Sequence, residues 1–191
     1  LNSDSSNDNL YGQAGDDVLR GSAGDNILDG GTGTDLISTG NGSDTIVLRV
    51  GDGATTLADA DKIGKWSGIN NDVWVADFTD GSDVLGLDGG LAYTDLTIAQ
   101  GTGSNSNDTI ISVGSEYLAI LQGISASSVT AADFMSTSTS TQTFTGDSNN
   151  NTYIGGAGND TFTGNAGSDV IYAHSGDDTI NINNKSGAYA D

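Results

Sequence analysis

The chain has 191 residues, 26 acidic side chains against five basic ones, a formal net charge of −21, and 29 glycines with no cysteine or proline. That balance excludes nucleic acid and anionic membrane surfaces as partners, because no basic patch exists to neutralise phosphates. It also excludes disulfide staples and thiolate metal chemistry, and no apolar run is long enough for membrane insertion.

The opening segment, LNSDSSNDNLY, takes its meaning from the repeats that begin at Gly12. From Gly12 to Val47 a nine-residue phrase recurs without a gap as GQAGDDVLR, GSAGDNILD, GGTGTDLIS and TGNGSDTIV. Position six is Asp17, Asn26, Asp35 and Asp44; position eight is Leu19, Leu28, Ile37 and Ile46. Read in this frame, residues 1–11 are a degenerate repeat with Asp8 at position six and Leu10 inward. Residues 48–72 lose the frame, and Gly51-Asp52-Gly53 reads as a turn. Residues 73–135 form a β-rich insert: VWVADF, DVLGL, DLTIA, DTIISV and EYLAIL are short β-branched or aromatic runs between Gly, Asn and Asp turns. One helical turn is expected within 127–134. Residues 136–143, STSTSTQT, read as a linker or an exposed strand. The frame returns over 144–181 as GGAGNDTFT, GNAGSDVIY and AHSGDDTIN, with Asp160, Asp169 and Asp178 at position six. A tail, 182–191, ends the chain.

The spacing has a physical cause. Glycine at positions one, two and four permits positive φ and lets backbone carbonyls crowd together. The last three residues of each phrase alternate out, in, out as a short strand. Two phrases make one coil, so Asp17 stacks over Asp35 and Asp160 over Asp178. Asp8, Asn26 and Asp44 share a second edge, as do Asn151 and Asp169. Stacked carboxylates repel unless a hard cation lies between them, and Ca²⁺ takes six to eight oxygens from carboxylates and carbonyls. A Gly-Gly-x-Gly-x-Asp-x-apolar-x period is the signature of a calcium-binding parallel β-helix.

These phrases resemble the RTX, or hemolysin-type, calcium-binding β-roll family, and the insert resembles the stretch that succeeds or interrupts rolls in cyanobacterial surface and hemolysin-like members. The resemblance implies an all-β fold with a right-handed parallel β-roll at each end. Of beads on a string and one continuous solenoid with the insert's strands in the same two sheets, the continuous version is expected, since repeats are stable only when neighbours cover each other's apolar faces. The resemblance also implies several Ca²⁺ ions, each held by two stacked Asp carboxylates, by carbonyls of positions one and three below, and by those of two and four above. Carried over, the ligands are Gly12, Ala14 and Asp17 with Gly31, Gly33 and Asp35. At the far end they are Gly155, Ala157 and Asp160 with His174, Gly176 and Asp178. The remaining sites involve Gly21, Ala23 and Asn26 with Gly40, Gly42 and Asp44, with Asp8 below, and Asn151 with Asn165, Gly167 and Asp169. Asn26 and Asn151 offer neutral amides, so their sites are expected to be weaker or empty.

Asp77, Asp80, Asp83 and Asp88 could hold a further ion, although turns favour Asp anyway; Asp59 and Asp61 are fainter candidates. Trp66 and Trp74 beside Lys62 and Lys65 could bind a glycan, against the plainer reading that they pack in the insert. His174 is the single histidine, at a turn position where it offers its carbonyl. No nucleophile or zinc-protease motif is present, so no enzyme is expected.

The expected protein is extracellular, since sites filled at about millimolar calcium suit extracellular modules. Its expected role is structural: a subunit of a cell-surface layer or filament whose partners are copies of itself. One rival is a calcium-dependent folding and secretion module of a larger enzyme or toxin, for which a first repeat entered part-way is the sequence argument. Another is an adhesin or glycan-binding module.

Overall fold

A computed structural model describes residues 1–66, 74–75 and 77–181, with only the backbone at 65, 66, 74 and 75. The chain divides into two compact units, Leu1–Phe134 and Met135–Asp191.

In the first unit each phrase closes on three or four extended residues with one apolar side chain inward. These are β1 (Asn9–Tyr11), β2 (Val18–Arg20), β3 (Ile27–Asp29), β4 (Leu36–Ser38) and β5 (Thr45–Leu48). Alternate strands fall in opposite sheets and pair in parallel, Leu10 on Leu28 and Leu28 on Ile46 in one, Leu19 on Ile37 in the other. All five side chains are buried. Each removes enough apolar surface to contribute about 1.5–3 kcal/mol, so the period of nine doubles as a period of core residues.

Residues 48–72 and the insert build onto this roll. β6 (Lys62–Ile63) lies parallel to β4 with Ile63 on Ile37, and β9 (Val84–Leu87) lies parallel to β5 with Leu85 on Ile46. Between them, β7 (Lys65–Trp66) and β8 (Trp74–Val75) form a short antiparallel pair. β10 (Leu96–Gln100), β11 (Thr109–Val113) and β12 (Glu116–Leu121) are an antiparallel meander, joined to the roll where β12 runs parallel to β6. Ile110, Ile111 and Leu118 to Leu121 are its buried residues. β13 (Phe134–Ser136) begins on the unit's last residue, and the sheets have the orders β1-β3-β5-β9-β13 and β10-β11-β12-β6-β4-β2. The insert is therefore not a separate sandwich within this unit. The helical turn expected within 127–134 is the 3₁₀ turn Ala131–Asp133, whose Thr130 N–H donates to Asp133 Oδ2 at 2.7 Å, and two further 3₁₀ turns lie at Tyr93–Asp95 and Gly103–Asn105.

The second unit repeats the roll with β14 (Thr143–Thr145), β15 (Thr152–Ile154), β16 (Thr161–Thr163), β17 (Val170–Tyr172) and β18 (Thr179–Asn181). Its sheets are β14-β16-β18 and β15-β17. Phe144 and Phe162 stack at 4.9 Å between ring centroids, 2° from parallel, with Phe162 fully buried. The Ser/Thr run 136–143 is a turn of this roll rather than a spacer. Ala157 N–H donates to Ser138 O at 2.9 Å and Thr161 N–H to Gln142 O at 2.9 Å, the spacing of a stacked coil. The expected tail, 182–191, lies outside the described residues.

Candidate metal centre

The turns between strands are shaped by close backbone approach. A Cβ on Gly31 (φ 85°) would lie 2.0 Å from Gln13 O, and one on Gly33 (φ 141°) would lie 2.2 Å from Gly15 O. Carbonyls of one coil thus occupy the space where side chains of the next would begin. Position two stays left-handed even without glycine, at Gln13, Ser22, Asn165 and His174, a conformation costing of order 1–3 kcal/mol per residue. Something must offset that cost.

Position six forms a ladder on each side of the roll. Asp17 N–H donates to Asp35 Oδ1 at 2.8 Å, and Asp8 N–H to Asn26 Oδ1 at 3.0 Å. Asn26 N–H donates to Asp44 Oδ1 at 2.8 Å. In the second unit Gln142, Asp160 and Asp178 make one ladder, both steps 2.8 Å, and Asn151 N–H donates to Asp169 Oδ1 at 2.9 Å. Asn26, Asp35, Asp44, Asp160, Asp169 and Asp178 therefore each spend one oxygen on the coil before them. A second ladder runs the opposite way through position five. Asp25 N–H reaches Asn7 Oδ1 at 2.8 Å, Thr34 N–H reaches Asp16 Oδ1 at 2.9 Å and Asp177 N–H reaches Asn159 Oδ1 at 3.0 Å. The Asp or Asn bias at position five was legible in the sequence.

The other oxygen is the informative one. Asp35 Oδ2 and Asp44 Oδ2 are buried with no hydrogen-bond partner, which costs more for a carboxylate than for any neutral group. Burial pushes both acids above the usual carboxylate range, helped for Asp35 by the charges of Asp17, Asp16 and Asp29. Among the described residues no three carboxylate or imidazole groups converge. A cation here takes two carboxylates at most and the rest of its shell from the crowded carbonyls. That all-oxygen donor set suits Ca²⁺ and no softer metal. The residues fit the ion.

The sequence-selected positions assemble as stacked pairs. Ala14 bridges Thr32 and Ala23 bridges Asn41 in parallel. Gly12, Ala14 and Asp17 thus lie under Gly31, Gly33 and Asp35, and Gly21, Ala23 and Asn26 lie under Gly40, Gly42 and Asp44. Ser175 N–H to Gly156 O at 3.1 Å aligns Gly155, Ala157 and Asp160 with His174, Gly176 and Asp178. Ala166 N–H to Asp147 O at 3.1 Å places Asn165, Gly167 and Asp169 over the turn of Asn151.

The insert acids do not form one site. Asp83 continues one ladder, accepting Asp44 N–H at 3.0 Å, while Asp61 continues the other, accepting Asp35 N–H at 2.9 Å. Asp77 accepts from Ser38 Oγ at 2.7 Å and Asp80 faces Asp133. Asp88 and Asp29 pair with Arg49 at 2.7 and 3.0 Å, and Asp52 pairs with it too. Arg49 supplies a fixed cation where the repeat frame ends. Asp59 Oδ2 accepts Thr56 Oγ1 at 2.6 Å. The Trp66 and Trp74 side chains lie outside the described residues.

The model of the RTX calcium-binding nonapeptide repeat matches the chain in four copies, at residues 2–37, 11–46, 20–53 and 145–180. Both rolls are built from this calcium-binding repeat, over residues 2–53 and 145–180. No curated protein matches the chain.

Proposed function

We propose that the protein is an extracellular structural module that folds as calcium enters its turns, and that copies of it join end to end in a surface layer or filament. The observation that carries the first part is the pair of buried, partnerless oxygens of Asp35 and Asp44. Gly12, Ala14 and Asp17 would hold one ion with Gly31, Gly33 and Asp35. Gly155, Ala157 and Asp160 would hold another with His174, Gly176 and Asp178, and Asn165, Gly167 and Asp169 a further one above Asn151. Calcium supplies the positive charge that lets like-charged coils stack. The chain supplies hydrogen-bond ladders that hold each carboxylate at its height and a core that closes once the coils meet. With a formal charge of −21, the metal-free coils repel one another, so folding and binding are one event. No helix among the described residues is long and apolar enough to cross a membrane, and millimolar external calcium matches this class of site.

End-to-end joining is supported by the last described coil of the second roll. Ile180 occupies the inward position that Phe162 fills at 0 % exposure, yet it is 47 % exposed among the described residues. A further coil would cover it, and where another copy supplies that coil in a head-to-tail contact that does not close, a filament results. Size-exclusion chromatography with light scattering tests this. Calcium-dependent, concentration-dependent growth in mass is expected. A calcium-saturated monomer at every concentration would contradict assembly and favour a folding module.

A further inference from the structure

The structure assigns to Asn26 the place of a calcium ion: its side-chain amide cross-links the turn that a cation joins elsewhere in the roll. Asn26 is 1 % exposed at position six. Its Oδ1 does what a carboxylate oxygen does in the other turns, accepting the Asp8 N–H. Its Nδ2 donates to Gly21 O at 2.8 Å, Gly24 O at 2.9 Å and Asp44 Oδ1 at 3.0 Å. Those partners are the position-one and position-four carbonyls of its own turn and the position-six carboxylate of the next coil. They are the same kinds of oxygen that the repeat offers to a cation. The amide orientation is fixed by this set, since the reverse would point an oxygen at three oxygens.

Two N–H groups shared among three oxygens satisfy acceptors that would otherwise need a metal. An ion cannot occupy the same point without evicting the amide. The change from Asp to Asn at this position also removes one stacked charge, so coils here meet without neutralisation. Asn151, the other position-six asparagine of the repeats, differs. Its Oδ1 accepts Asp147 N–H at 3.2 Å, and among the described residues its Nδ2 makes no comparable set of bonds. Asn26 is therefore a metal-independent rung set between calcium-dependent ones, and the first roll has a step that is bonded before calcium arrives.

This inference rests on the calcium reading of the rolls, and calcium-45 equilibrium dialysis of the full chain separates the two. Asn26→Asp is expected to bind one calcium more per chain than the wild type and to need more calcium to reach half-folding. Asn26→Ala is expected to bind the wild-type number while melting at lower temperature. The assignment is overturned if N26D binds only the wild-type number or stays unfolded at saturating calcium. It is equally overturned if N26A loses one calcium, because Asn26 would then be a ligand itself. A wild type that binds no calcium removes this inference together with the calcium reading.

Discussion

At position six Asp35 and Asp44 divide their two oxygens, one fixing the chain and one buried with no hydrogen-bond partner. In Asp35 these are Oδ1, on Asp17 N–H, and Oδ2. Asp35→Ala is expected to reduce the calcium count and to cost roughly 1.5–3 kcal/mol in calcium-saturated chemical denaturation, the worth of a hydrogen bond to a charged group. Acidity offers a second test. Burial raises Asp35, Asp44 and Asp83, and it pushes Asp61 up to about 7 against a lowering hydrogen bond from Asp35 N–H. A raised acid takes up a proton on folding, so its contribution is present below its unfolded value and lost as pH rises through its folded one. The metal-free chain is thus expected to gain β signal in circular dichroism as pH falls from 8 to 5. Asp61→Asn should already gain part of that signal at pH 8. A flat pH response in chelator would contradict the burial argument.

At the scale of the turn and strand, glycine and the inward apolar residue set the fold. Gly31→Ala places a Cβ 2.0 Å from a backbone carbonyl at a positive φ, so a loss beyond about 1–3 kcal/mol is expected in calcium-saturated thermal melting. Phe162→Ala should cost about 3–5 kcal/mol in the second unit. The roll itself was legible in the sequence, because glycine, aspartate and the inward residue repeat on one period. The next rungs were not. Asp61 and Asp83 join the ladders at separations of 26 and 39 residues, where the repeats use 18. Loops of unequal length intervene, so three-dimensional stacking alone brings those acids into line. Gln142 was hidden for a different reason: its turn carries Ser and Thr in place of glycine. The role of Asn26 needed coordinates too, since sequence marks it as a weaker ligand whereas the geometry turns its amide inward as a donor.

At the scale of the molecule, two rolls and an insert share one electrostatic problem. A formal charge of −21 opposes compaction, and among the described residues Arg49 with its three acids relieves it at one point. On the proposed reading a divalent ion does the same elsewhere, and magnesium should replace calcium poorly because it demands a tighter, more regular shell. The most direct test is to titrate calcium into the metal-free chain while monitoring far-UV circular dichroism. A cooperative gain of β signal that reverses with chelator is the predicted result. A spectrum indifferent to calcium, in a chain already folded in chelator at neutral pH, would contradict the account.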